Sequence, residues 1–358
     1  MKIDIHCHVV GNGRDISRVD HDVYFNPYDN KKDGKLLGMW ALYKSIQAML
    51  ILSGADTSGN VDVSTDEYLG FIYKGLVESE ELGGIVLLAM DAVYGNDGGL
   101  DERRTDLWVS NRYLSEKVRA LNDRLGKAGI TGKRFYFGAS VNPNRKDWQK
   151  ELAFVTEETD AVLLKWIPSA QHIRVDEVSP DFYNILADKK MPLLCHVGPE
   201  YSFVEGTYVE NRAFDNFERL RKPLDCGVKV IAAHCALPVF PTDKNRFNDF
   251  CDFMASFNKD GTRLWTDTSA LSLTTRLHLL KDVKKSLPPE WLVHGSDFPI
   301  FIDSGTFLPA LIPGLDWDTY TNVCQTHNPF DRDVRIKRAF GFAHSILSNA
   351  VTNKVLRL

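Results

Sequence analysis

Apolar runs of strand length recur along the whole chain: "KIDIHCHVV", "GIVLLAMDAV", "RFYFGASVN", "AVLLKWIP", "MPLLCHVG", "VKVIAAHC", "RLWTDTSA" and "WLVHGSDF". Each is continuous rather than alternating, the pattern of parallel strands covered on both faces. Between most of them the spacing turns helical. Leu107, Leu114, Val118, Leu121 and Leu125 fall on one face that stops at Gly126 and Gly129. In "SPDFYNILADKK", Pro180 marks a helix start, and Phe182, Ile185 and Leu186 form the apolar side. Eight strands alternating with helices predict an α/β chain closed as a (β/α)8 barrel rather than a doubly wound open sheet.

One connection breaks the rhythm. Residues 10–83 separate the first two strands, far more than a helix and two short loops need. The segment opens with the polar "GRDISRVDHDVYFNPYDNKKDGK", continues through the apolar "LLGMWALYKSIQAMLIL", and ends with a second helical candidate, "TDEYLGFIYKGLVESEEL". It leaves the C-terminal end of the first strand, where barrel active sites sit, so its polar part reads as a lid or substrate wall. The expectation is one domain over 1–358, with 10–83 as an extended crossover and "NPFDRDVRIKRAFGFAHSILSN" as a closing helical segment.

The strand ends supply the chemistry. The first run carries His6 and His8, two residues apart and therefore on one face of a strand. The fourth carries Lys165, the fifth ends at His196, the sixth at His234 and the eighth at Asp297. One histidine in a strand is usually a hydrogen-bonded core residue. Histidines at three strand ends with an aspartate on the eighth form a metal-type donor set. By the same alternation His294, three residues before Asp297, turns away. Asp267 and Ser269, ending the seventh run, are candidates to hydrogen-bond a ligand histidine. Glu200 and Tyr201 follow His196 and are candidates for a substrate pocket, as are His172 and Arg174 after the fourth strand.

In this order and placement, "DIHCH", "LLKWIPSA", "CHVGPE", "IAAHC", "HGSDFP" and "HNPFDRD" resemble the amidohydrolase superfamily, and within it the amidohydrolase 2 branch. The resemblance implies a TIM barrel with a divalent metal at the strand ends. His6, His8, His196 and Asp297 would be ligands, and His234 the sixth-strand histidine beside the ion. It further implies a hydrolase in which metal-bound water attacks the carbonyl of a small amide, ester or lactone, with Asp297 and His234 catalytic. The same branch contains non-oxidative decarboxylases and hydratases of small unsaturated or aromatic acids. Zinc suits the donors, with manganese, iron or cobalt as alternatives. One ion is favoured, with Lys165 contacting a substrate carboxylate; a carbamylated Lys165 bridging two ions is the other arrangement. A non-enzymatic descendant of such enzymes is a third reading, disfavoured by the full donor set.

Composition adds bounds. The chain has 358 residues, 44% hydrophobic and 25% charged, with a net charge of −5 and no basic run of the kind nucleic acid requires. No apolar stretch approaches a membrane span. Six scattered cysteines lack metal-knuckle or disulfide spacing, which fits a reducing cytoplasm. A small-molecule substrate, with neither a nucleic acid nor a membrane partner, is expected, and homo-oligomers are compatible.

Overall fold

The computed structural model describes residues 2–10, 23–25, 64–207, 209–342 and 349–358. Eight parallel strands form one sheet in chain order: β1 (Ile3–His8), β2 (Gly84–Leu88), β3 (Arg134–Ala139), β4 (Ala161–Trp166), β5 (Leu193–Cys195), β6 (Val230–Ala232), β7 (Leu264–Asp267) and β8 (Leu292–Val293). Every strand falls within one of the eight apolar runs. Hydrogen bonds join the last strand back to the first: Ile5 N to His294 O at 3.1 Å, Asp297 N to His6 O at 2.8 Å and His8 N to Phe298 O at 2.8 Å. The sheet is thereby a ring with no free edge.

The helices follow from local signals. α1 (Thr65–Glu78) starts in a reciprocal Ser64–Glu67 capping box. α2 (Asn111–Lys127) is capped by Ser110, and Leu114, Val118, Leu121 and Leu125 are its buried stripe. Leu107, expected on that stripe, lies instead in a short strand (Leu107–Val109) paired antiparallel with Val23–Phe25. The seven-residue gap to Leu114 leaves room for a turn, and Ser110 takes the cap. α3 (Pro180–Asp188) begins with Pro180 in its first turn, Phe182 and Leu186 buried and Ile185 partly so. α4 (Phe247–Phe257), α5 (Leu280–Ser286) and α6 (Pro329–Ala339) continue the outer ring. A last helix, α7 (Asn349–Val355), closes the chain. The segment 36–52 and most of the polar stretch before it lie outside the described residues.

Two apolar cores result. One lies between strands and helices. The other fills the barrel interior, where Ile5, Leu163, Leu194, Ile231, Trp265 and Val293 meet Val351, Val355 and Leu356 of the chain end. This inner core occupies the end of the barrel opposite the histidines. In β1 the pairing slips between Asp4 and Cys7. Such a bulge shifts the alternation: Ile5 belongs to the inner core while Cys7 packs in the outer one. Among the described residues no helix is long and apolar enough to cross a membrane, and all six cysteines are free.

Candidate metal centre

His6 and His8 emerge at the C-terminal mouth of β1, with their Nε2 atoms 3.1 Å apart. Asp297 reaches both from the end of β8: its Oδ1 lies 3.2 Å from His6 Nε2 and 3.3 Å from His8 Nε2. His234, after β6, joins this set; His6, His234 and Asp297 each offer a donor atom within 4.8 Å of the others. His196 stands one ring further out, its Nδ1 3.2 Å from His234 Nε2 and 3.4 Å from Glu200 Oε2, while its buried Nε2 has no partner. Of the four expected ligands, then, three converge directly, and His196 adjoins them through His234.

Backbone conformation aims two of these groups. Asp297 has φ 67° and His234 φ 60°, both in the left-handed region. For a residue with a side chain that region costs roughly 1–2 kcal/mol. The Asp297 amide is secured on His6 O, as described, and the His234 amide donates to Asp267 Oδ1 at 2.9 Å.

Asp267 also sets a tautomer. Its Oδ2 lies 2.7 Å from His6 Nδ1, which must therefore carry the proton and leave Nε2 with a lone pair. That lone pair faces the Asp297 carboxylate, an acceptor facing an acceptor. Ser269 Oγ, 2.8 Å from His234 Nδ1, fixes the second ring. Burial would raise the Asp267 carboxyl, but the His6 imidazole against it holds it well below the carboxylate range. Burial likewise opposes ionisation of Asp297, yet the His234, His6 and His8 rings hold it ionised. Desolvation lowers His8 to about 4 and His234 to about 3, so both are neutral at pH 7. The neutral His8 and His234 rings around an ionised carboxylate are a donor set that fits a divalent cation.

Lys165, 2% exposed, places Nζ 2.9 Å from His6 Nε2. Burial lowers its pKa despite Asp297 nearby. Above the cluster opens a pocket of about 40 Å³, room for an ion and water rather than a whole substrate, walled by Val10, Ile167, Glu200, Phe203 and Ile300. Glu200 is buried there, and desolvation raises its pKa. Tyr201 is directed elsewhere, its hydroxyl donating to Asp243. His172 binds Glu205 at 2.7 Å, and Arg174 pairs with Glu177; both line a neighbouring cavity with Tyr94 and Arg104. His294 lies outside the metal-donor set, its Nε2 3.9 Å from Asp333 on α6.

No family model and no curated protein matches the chain. Solved structures do. An uncharacterised TIM-barrel protein from Bordetella bronchiseptica superposes with TM-score 0.50 at 11% identity, over 94% of this chain and 99% of that one. The fold is a TIM barrel. A Lactobacillus casei structure provisionally described as a metal-dependent hydrolase gives TM-score 0.48 at 12% identity, over 99% and 95% of the two chains. A Polaromonas dihydroxybenzoic acid decarboxylase with bound manganese and an inhibitor gives 0.38 at 11%, over 97% and 99%. These likenesses are of fold.

Several residues of the site carry no signal of their own in the sequence. Phe203 and Ile300 would be found only by their nearness to "HVGPEY" and "HGSDF". Arg276, 3% exposed, donates to the carbonyls of Leu237 and Pro238 and so fixes the loop after His234.

Proposed function

We propose that this chain is a metal-dependent hydrolase acting at the carbonyl of a small amide, ester or lactone. The observation that carries the proposal is the convergence of His6, His8 and Asp297 within 3.3 Å, with the His6 lone pair presented by Asp267. His6, His8 and Asp297 would hold the ion, with His196 and His234 beside it. A bound divalent ion there supplies Lewis acidity, lowering the pKa of a water and polarising a carbonyl oxygen.

The chain's own groups do the rest. Asp297 accepts a proton at a carboxylate oxygen. His234, neutral and anchored by Ser269, relays that proton from Asp297 to the leaving group and returns to the neutral ring. Val10, Ile167, Phe203 and Ile300 exclude bulk water from the mouth. Lys165, turned onto His6, favours a single ion, zinc by donor type, over a carbamate-bridged pair. A lyase reading draws on Glu200, a buried acid at the pocket able to protonate carbon after CO2 leaves.

The experiment is a panel of lactones, esters and amides against aromatic carboxylic acids, with zinc- or manganese-loaded protein, following hydrolysis and CO2 release together. Hydrolysis abolished in His234→Ala supports the proposal. Release of CO2 without hydrolysis selects the lyase. Intact mass without a 44-Da adduct (a carbamate adds CO2), with one ion per active chain, excludes the two-ion form.

A further inference from the structure

α6 carries a buried ion pair that no step above uses. Asp333 is 0% and Lys337 1% exposed, with Nζ to Oδ2 at 2.5 Å. Burying such a pair is a poor route to stability, since apolar replacements of similar volume are often neutral or better. Its outward contacts are specific. Lys337 Nζ donates to the Gly295 carbonyl at 2.8 Å, and Asp333 Oδ1 accepts from Ser272 Oγ.

These two contacts land on the two segments that shape the metal centre. Gly295 lies two residues before Asp297, and a Cβ there would sit 2.8 Å from His6 Cβ and 3.1 Å from Ser269 Cβ. The Gly295 backbone therefore presses directly on both side chains, with no slack between them. Ser272 ends the short loop that begins at Ser269 and passes through Ala270, itself at φ 53°. Ala270 N donates to Ser296 O at 3.1 Å, tying the two segments together.

We propose that the Asp333–Lys337 pair is a positioning clamp for the metal centre, holding the strained Gly295–Asp297 backbone and the Ser269–Ser272 loop in the register at which Asp297, His6 and His234 meet. The pair touches neither substrate nor ion. This rests on the metal-binding reading, and it assigns to a helix of the outer ring a part in ligand geometry.

The test uses the full chain loaded with cobalt(II), whose visible absorption reports ligand geometry. The double variant Asp333→Leu/Lys337→Met removes both charges at once and leaves no unpaired ion. The clamp predicts a folded barrel by circular dichroism, cobalt and zinc affinity lowered about 10–100-fold by chelator competition, and altered cobalt bands. Affinity and bands identical to the parent chain, in a folded variant, overturn it. Should the double variant fail to fold, Ser272→Ala, which keeps both charges, carries the same readouts: weaker cobalt binding with shifted bands supports the clamp, and unchanged binding overturns it. A parent chain that binds no divalent ion overturns the metal reading itself, and the clamp with it; a parent that binds and variants that bind equally overturn the clamp alone.

Discussion

The same eight strands end in two opposed chemistries. At their N-terminal ends the barrel is filled by Leu163, Leu194, Ile231 and Trp265 and closed by Val351, Val355 and Leu356. At their C-terminal ends it holds imidazoles, a lysine and carboxylates, all buried but the half-buried His8, with Asp297 and His234 in left-handed conformations. The first end gains free energy from apolar burial. The second gives some back in strain and desolvation, as sites of binding commonly do. The lesson is a division of labour along one strand: β1 contributes Ile3 and Ile5 to the packed end and, past its bulge, His6 and His8 to the other.

That division can be broken deliberately. The largest effect is expected from His6→Ala: at least about a hundredfold loss of zinc affinity by chelator competition, with little change in the unfolding midpoint of the metal-free chain. Next comes Asp267→Asn, which removes the carboxylate that fixes the His6 tautomer and the His234 amide. Its zinc affinity should fall about 10–100-fold while every first ligand remains. At the packed end the pattern reverses. Leu356→Ala should cost about 2–4 kcal/mol in urea unfolding, with metal affinity per folded molecule unchanged. A fall in affinity matching the fall in stability would show that the two ends are not separable.

The smallest effect is electrostatic and also belongs to the packed end. Glu81 meets Lys2 and pairs bidentately with Arg338 at 2.9 and 2.7 Å. Burial raises its carboxyl, but these cations win and bring it from 4.5 to about 2. A carboxyl held below its ordinary value stabilises the fold above about pH 4.5 and loses that contribution as pH falls toward 2. The stability gap between the parent chain and Glu81→Gln should therefore be full at pH 7 and narrow between pH 4.5 and 2, followed by denaturant unfolding. A gap that is constant across that window removes the ion pair from the account.

How much of this the sequence carries differs between the ends too. The eight strands were legible because parallel strands buried on both faces read as unbroken apolar runs. His6 and His8 were legible as a pair on one strand face, and His234 and Asp297 because each stands near a run's end. Three features were not. The bulge in β1 depends on pairing with β2, which no single run encodes. The placement of Leu107 in a strand depends on its partner Val23–Phe25, distant in sequence. Asp333 and Lys337 sit four apart among Asp331, Arg332, Arg335 and Arg338, and the run of charges in this closing helical segment does not mark which of them face inward. Only the packed helix shows that Asp333 and Lys337 point inward while Arg338 lies outside.

The most direct measurement is a calorimetric titration of the metal-free chain with zinc(II), alongside Asp297→Asn. The account predicts saturation near one ion per chain in the parent, with protein-bound zinc retained through gel filtration, and loss of that binding in the variant. A parent chain that takes up neither zinc nor manganese, cobalt or iron under the same conditions contradicts it.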